Sequence, residues 1–546
     1  MSKILCYPIL ILSLILAVSP LYAQNDPDIP ADIKWGPEMK EPGNSMITKI
    51  IGTTPKGFYT LREKTGGGLG DNGTTKIRLE YYNNDMKIMK SNEIALKYKS
   101  KKMSFEDVFF LNGKIYLFSS FHNEAKKKNY LFMQEVSIRS LAPRKNLKLL
   151  AEMDTRNKKR GIFDNHISRD SSKILIYNQL PYKKKQPERF ALRVYDNEFN
   201  ELWNRDISLP YNDEKFSIEE YQVDNNGNVF LLGVIYEDKS RVRRNGRPTY
   251  EYTILTYTED GEDAQEYKIR LDQEFLTDMT FRVADNGDLV CSGFYSERGT
   301  YSVKGTCFFR IDTESKEIYN LNLKEFDFDF ITEYLSDKKK EKLKNAERKG
   351  NKKKAPELYR YSLDKLILRS DGGALLIAEQ YFVQIRDNFD RFNPAFGGFD
   401  PYWNGVRNQD YLYNYNDIII VNIRPDGEIE WTGRIPKRQV TVNDGGYFSS
   451  YAMSIIRDKI YFVYNDNGRN FEEANSDRIY SYNGKYSVIA LTELNRDGSM
   501  ITYPLFSNAE AEIITRPKIC KQIGKKDMVI YGERGRKYKF ASLQFN

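Results

Sequence analysis

The chain has 546 residues, 40% of them hydrophobic, with 39 Tyr and 31 Phe against 12 Met. That length admits several ordinary domains or one large repetitive ring, and the aromatic, strand-leaning bias speaks against a helical bundle. The net charge of +8 is modest for this size, and no nucleic-acid-binding module is recognisable, so nucleic acid is excluded as a partner.

The first residues read as a targeting segment. Lys3 supplies a positive region, Ile4 to Val18 an apolar stretch interrupted by Pro8, and Leu21-Tyr22-Ala23 a small residue before Gln24. This pattern makes residues 1–23 a signal peptide cleaved after Ala23. An uncleaved anchor is the rival reading, for which the apolar run is short. Cys6 lacks a lipobox-like context. No later segment is apolar enough to cross a bilayer, so the mature chain, 24–546, is expected to be exported and soluble.

From about residue 33 one pattern recurs roughly eight times. First strands fall near Thr48, Phe105, Phe163, Ile218, Thr277, Tyr361, Ser450 and Ile513. Second strands read Gly57–Lys64, Gly113–Phe121, Lys173–Gln179, Asn228–Glu237, Asp288–Ser296, Ala374–Phe382, Lys459–Tyr464 and Asp527–Glu533. Third strands end at Asp196-Asn197, Asp260-Gly261, Asp426-Gly427 and Asp497-Gly498, hairpin dipeptides whose two central positions tolerate positive φ. Fourth strands such as Leu202–Leu209 and Glu428–Ile435 follow directly. A helix is predicted from Ile331 to Arg348 within a basic insertion (326–358), and an aromatic loop insertion occupies 383–416. The last unit, Ile513 to Asn546, has room for three strands, Ile513–Ile523, Asp527–Glu533 and Lys537–Phe545. Its fourth is expected from Ile33-Lys34-Trp35, which ties the chain ends together and removes an exposed edge.

Four short antiparallel strands per unit, repeated so that neighbours cover each other's faces, make a single all-β propeller. About eight blades are expected, or seven if a weak unit near the second or third is merged. Trp35, Trp203 and Trp431 then share the outer strand as wedges between blades. The pattern resembles β-propeller repeat proteins over the whole mature chain, without the Gly-His and Trp-Asp signature of WD repeats. The Asp-Gly-x-x-x-Trp of 426–431 resembles the Trp-docking turn of quinoprotein propellers, with a loose copy at Asp196–Trp203. The chain is also similar to uncharacterised exported propellers of Gram-negative, Bacteroidota-type envelopes, a resemblance that implies a periplasmic or outer-surface role.

In such a ring the second-to-third connections and those between blades share one face, and nearly every long segment falls in these classes: 65–75, His122–Asn129, Pro181–Glu188, Asp238–Thr249, 383–416 and Asp466–Lys485. Recognition belongs on loops held by a rigid scaffold. Two features of this face stand out. Positive charge gathers at Lys126, Lys127, Lys128, Lys183, Lys184, Lys185, Arg241, Arg243, Arg244 and Arg247, and again at Lys338–Lys354. The readings are solvated loops, an acidic partner, or an anionic lipid surface. In the 383–416 insertion, Phe389, Phe392, Phe396, Phe399, Tyr402, Trp403, Tyr411, Tyr413 and Tyr415 alternate with polar residues. Such a surface suits a protein or a glycan, or packs as a lid on its own ring.

Catalytic parts are scarce. His122 and His166 are the only histidines and lie in different units, which leaves zinc sites and Ser-His-Asp triads short of parts. Gly66-Gly67-Gly68 precedes no helix. Glu63, Glu379, Asp466 and Glu533 each end a second strand, and two carboxylates about 5–10 Å apart suffice for glycoside hydrolysis, which makes Glu379 a weak catalytic candidate. Strand alternation explains these acids without chemistry. Cys291 and Cys307 lie symmetrically about Gly299, either bridged across a hairpin in strained geometry or reduced and packed, and Cys520 has no evident partner. The resulting expectation is a non-enzymatic periplasmic platform for an envelope protein, such as a subunit of an outer-membrane export or assembly complex, without cofactor or metal. A glycan-binding or glycoside-hydrolysing ring and a scaffold on anionic lipid are the alternatives.

Overall fold

Two kinds of strand are written into each repeat. Second strands such as Val229–Tyr236 and Leu289–Ser296 are apolar almost without interruption and mostly buried on both sides. Fourth strands such as Glu317–Glu325 are largely exposed. A sheet built from such strands in order is covered on both faces at its centre and wet at its outer edge. The computed structural model describes residues 29–546 except 44, 65–75, 157–159, 182–184, 241, 245, 272–273, 351–355, 389–407, 473–478 and 485. Eight such sheets form the blades of a β-propeller, and the seven-blade alternative falls away. Ser45–Thr54, Ser104–Leu111, Ile162–Ile167, Phe216–Val223, Phe275–Val283, Tyr361–Leu368 and Tyr451–Ile456 are the first strands of blades 1 to 7.

The eighth blade closes the ring. Ala31–Trp35 pairs antiparallel with Lys537–Phe545, Trp35 opposite Ala541 and Ile33 opposite Leu543. Met39–Lys40 continues along the same strand. The first strand expected over Ile513–Ile523 is instead broken into Ile514–Thr515 and Lys521–Gln522 by a 3-10 turn at Pro517–Ile519, because Pro517 cannot donate to a ladder.

Apolar packing lies between blades more than within them. Leu232, Ile254, Phe281 and Phe309 join blades 4 and 5, and Ile47, Phe58, Tyr82, Val529, Tyr531 and Phe540 join blades 8 and 1. Each buried Phe contributes about 1.5–3 kcal/mol, and only a neighbouring blade can supply its cover. Trp203 and Trp431 reach forward into the next blade, donating to the Gly227 carbonyl at 2.9 Å and the Arg496 carbonyl at 3.2 Å. Trp35 instead packs edge-on against Phe506 of blade 7, ring centres 5.0 Å apart.

A charged network is buried at the closure. The fully buried Arg62 guanidinium is held by Glu41 and by Glu80, the latter at 3.2 Å. Tyr82 donates to Glu80 at 2.6 Å, and Tyr531 bridges Glu41 at 3.1 Å and Glu533 at 2.7 Å. These residues come from the N-terminal segment, blade 1 and blade 8, so the seam between the chain ends is both apolar and ionic.

Several local expectations change. At Asp426-Gly427 and Asp497-Gly498 only the glycine has positive φ, +86° and +87°. Each is a turn closed by the Gly amide three residues on, followed by a left-handed glycine, a three-residue hairpin rather than the expected two-residue form. Asp260-Gly261 does carry positive φ at Glu259, Asp260 and Gly261. The helix expected over Ile331–Arg348 is two, Phe328–Thr332 and Asp337–Arg348. The first anchors Phe330 against Phe326, whereas the second has no buried residue. His122–Asn129 is not a loop: His122 pairs with Asn129 inside a tight hairpin. Gly293, not Cys291, faces Cys307 across the ladder, and Cys291 faces Phe309. The two thiols are free and buried, and the ladder is centred on residue 300, one residue beyond Gly299, which takes them out of register.

Candidate interaction face

The described ends of the 383–416 insertion are strand rather than loop. Ala374–Asn388 and Asn408–Ile423 run far past the blade's other strands, and Gln439–Val442 adds a third strand alongside Leu412–Tyr415. From Tyr381 outward the hairpin extends eight residues, about 26 Å at strand rise. Cross-strand partners share a side, so Tyr381, Val383 and Ile385 lie with Tyr415, Tyr413 and Tyr411. Ile385 is 60% exposed, Tyr411 40% and Tyr381 38%. Phe389, Phe392, Phe396, Phe399, Tyr402 and Trp403 lie outside the described residues. Of the predicted aromatic set, then, the structure places Tyr411 and Tyr413 on one side of the extension and gives Tyr415 a packing role at its base.

That base is built from charges inside the protein. The buried Lys437 ammonium donates to Glu379 at 2.5 Å, to the Tyr415 carbonyl at 3.1 Å and to Gln439 at 3.3 Å. Ser450 donates to the other Glu379 oxygen at 2.8 Å. Lys518 lies 4.2 Å over the Tyr415 ring and donates to its hydroxyl at 2.9 Å; burial lowers its pKa. The connection from blade 6 to blade 7 continues across the ring, where Tyr447 stacks on Arg516 of blade 8 at 3.5 Å and reaches Met46 of blade 1. The left-handed Gly446 lies against the Tyr415 ring, where a Cβ would collide. Glu379, the weak catalytic candidate, thus holds an ion pair that fixes the root of the extension.

The other strand-end carboxylates also have local partners. Glu63 accepts from Thr48 at 2.8 Å, and Glu533 accepts from Tyr531. Asp466 accepts from the Asn467 amide and the Asn470 side chain, both at 2.8 Å, and burial lifts its carboxyl to about 7.

By chain topology the predicted basic rim shares this face. Lys126, Lys127, Lys185, Arg244 and Arg247 are exposed. Lys128 is taken up by Glu152 at 2.8 Å and Asp154 at 3.3 Å. Arg243 lies over Phe275 at 4.6 Å and donates to the Glu297 carbonyl. Lys183, Lys184 and Arg241 fall outside the described residues. Between the helical insertion and the extension lies a groove of about 1010 Å³, with Tyr334, Lys339, Lys340, Phe382 and Arg438 on its walls.

Sequence reasoning missed a second concavity. On the opposite face, where the tight first-to-second turns lie, the first strands of blades 3 to 6 line a cavity of about 710 Å³ that includes His166, Glu220, Gln222 and Arg282. Their signal was faint: charged or amide side chains standing on first strands, one or two per blade. Among the described residues no group of three or more His, Cys, Asp or Glu is arranged to hold a metal ion.

No family model and no curated protein matches the chain. Among solved structures it is similar to the WD40 domain of SCAP from fission yeast, at 10% identity and TM-score 0.37 over 94% of this chain and 95% of that one. It is similar to a protein of unknown function from Bacteroides caccae at 11% identity and TM-score 0.26, over 70% and 94% of the two chains. It is also similar to the β-propeller domain of Myceliophteria thermophila Cps50, at 9% identity and TM-score 0.29 over 77% and 95%. At these values the likeness bears on no activity or partner.

Proposed function

We propose that this chain is a non-enzymatic interaction platform of the bacterial periplasm, a subunit of an outer-membrane export or assembly complex that docks an envelope protein on its decorated face. One observation carries the reading: a three-stranded sheet stands off blade 6 with Tyr381, Val383, Ile385, Tyr411 and Tyr413 on one side, three of them more than a third exposed. Contiguous exposed aromatic and aliphatic area on a rigid support is what a partner covers with gain, and aromatic anchors carry most of such binding energy. The exposed cations of blades 2 to 4 favour a partner with an acidic surface, since they accelerate encounter more than they tighten the complex. The leader-like residues 1–23 support export.

The test is co-purification from native envelopes. Ile385→Asp combined with Tyr411→Ala is expected to lose the partner without changing the unfolding midpoint of the ring. Lys126→Glu with Lys127→Glu is expected to slow association and flatten its salt dependence. A partner that stays bound to the Ile385/Tyr411 variant would refute this placement. Export is checked separately by N-terminal sequencing, which should begin at Gln24.

A further inference from the structure

The cavity on the tight-turn face is independent of the docking face. Its carboxylates are each engaged, whereas two of its donors are not. Glu220 accepts from Arg282 and Gln222 through one oxygen and from Thr280 through the other, each at 2.7 Å. Asp224 is consumed by its own turn, accepting from the Asn226 and Asn228 amides and the Asn228 side chain at 2.8 Å. Asp285 meets Arg169 at 3.2 Å across the mouth.

Donors remain. Arg282 donates through a single terminal nitrogen, to Glu220, to Thr280 and to the Phe281 carbonyl. Its second terminal nitrogen has no partner among the described residues, and Glu220 holds the guanidinium through the first. His166 accepts the Val223 amide at Nδ1, 3.2 Å away, which puts the hydrogen of the neutral ring on Nε2. That N–H also has no partner among the described residues. Burial first, with Arg282 adding to it, holds the imidazole below its usual range, in keeping with the neutral tautomer. The rest of the wall is apolar: Val223, Val283, Leu366, Ile367 and Leu368. Its volume lies within the range of small-molecule sites.

We propose that this cavity binds a small organic carboxylate, its oxygens accepting from the free edge of Arg282 and from Nε2–H of His166, and its apolar body lying on Val283, Ile367 and Leu368. A planar guanidinium already held through one nitrogen offers its remaining N–H groups at little entropic cost. A cation would leave those donors unmet, and an alcohol has one oxygen to offer two donors and no charge to counter the guanidinium.

The chain has two histidines, so ¹³Cε1-histidine labelling yields two signals, and His122→Asn assigns them. Titration with phenylacetate is expected to move the His166 signal saturably and leave His122, on the other face, in place. 2-Phenylethanol should move neither. Arg282→Gln should weaken phenylacetate at least about tenfold, the loss of about 1.4 kcal/mol. Because that change also loosens Glu220, Ile367→Trp serves as the second variant, filling the cavity from its apolar wall and abolishing the shift. No saturable movement of His166 with phenylacetate or hexanoate, or equal movement with the alcohol, overturns the proposal.

Discussion

The hydroxyls of Tyr82 and Tyr538 lie 3.0 Å apart although 456 residues separate them in the chain. Tyr82 belongs to the third strand of blade 1 and Tyr538 to the strand of blade 8 that also receives the N-terminal segment. Around them Arg62, Glu41 and Glu80 form a buried ionic cluster. The seam is therefore the place where loss of one group is felt by the whole ring.

Removing the cation tests this. Arg62→Met leaves Glu41 and Glu80 buried without their counter-charge, and a cost of about 3–5 kcal/mol is expected, read as a lowered urea midpoint. Tyr538→Phe removes one hydrogen-bonding hydroxyl and should cost about 1 kcal/mol. If both changes are neutral, closure does not depend on this cluster. A chain beginning at residue 42 lacks Ala31–Trp35 and Met39–Lys40 and exposes the edge of Lys537–Phe545; it should self-associate.

Lys437 and Glu379 are expected to behave as one unit. Either Lys437→Met or Glu379→Gln alone strands a partner in the interior at about 3–5 kcal/mol, whereas the double change should cost much less than the sum. A double-mutant cycle by chemical denaturation measures the coupling. Additive losses would mean that the pair does not hold the root of the extension.

Stability should fall as pH rises through neutrality. Burial and then Asp213 lift the Glu188 carboxyl to about 8, burial lifts Asp466 to about 7, and burial lifts Asp278 to about 6. A carboxyl raised in the folded state holds protons that the unfolded chain has released. Its contribution is whole below its unfolded value near 4, and it is lost as pH climbs through the folded value. Each such group removes at most about 1.4 kcal/mol per pH unit within its window. Glu188→Gln should flatten the slope between pH 5 and 8 and gain on the parent at pH 9. A parent whose midpoint is level across that range contradicts the assignment.

Cys291 and Cys307 are buried, and burial pushes both thiols up, Cys307 to about 12. A thiol reagent at pH 8 should therefore label neither in the folded chain and both after unfolding. Rapid labelling of Cys291 or Cys307 in the native protein would show that blade 5 opens far more readily than its packing allows.

The ring was legible because its signals are local. Gly57–Lys64 and Lys173–Gln179 lie at their predicted bounds, each marked by a preceding turn and a short apolar run. The closing strand followed from a final unit one strand short. The extension of blade 6 was half legible: Val383-Gln384-Ile385-Arg386 alternates as a strand does, yet it borders a stretch dense in Gly, Pro and Phe that reads as loop. The clusters were not legible. His166, Glu220 and Arg282, like Arg62 and Glu41, come from separate blades or segments, and nothing near any one of them in sequence says which others it will meet. Lys437 is similar: flanked by Pro436 and Arg438, it reads as a solvated connection until Glu379 is seen beneath it.

The docking face is tested most directly by site-specific photo-crosslinking in native envelopes. A crosslinking residue at Ile385, 60% exposed on the extension, should give one dominant adduct with an envelope protein. The same residue at Leu149 or Ile318, 49% and 41% exposed on outer strands, should give none. Equal adducts from all three positions, or none from Ile385, would contradict a dedicated docking surface on blade 6.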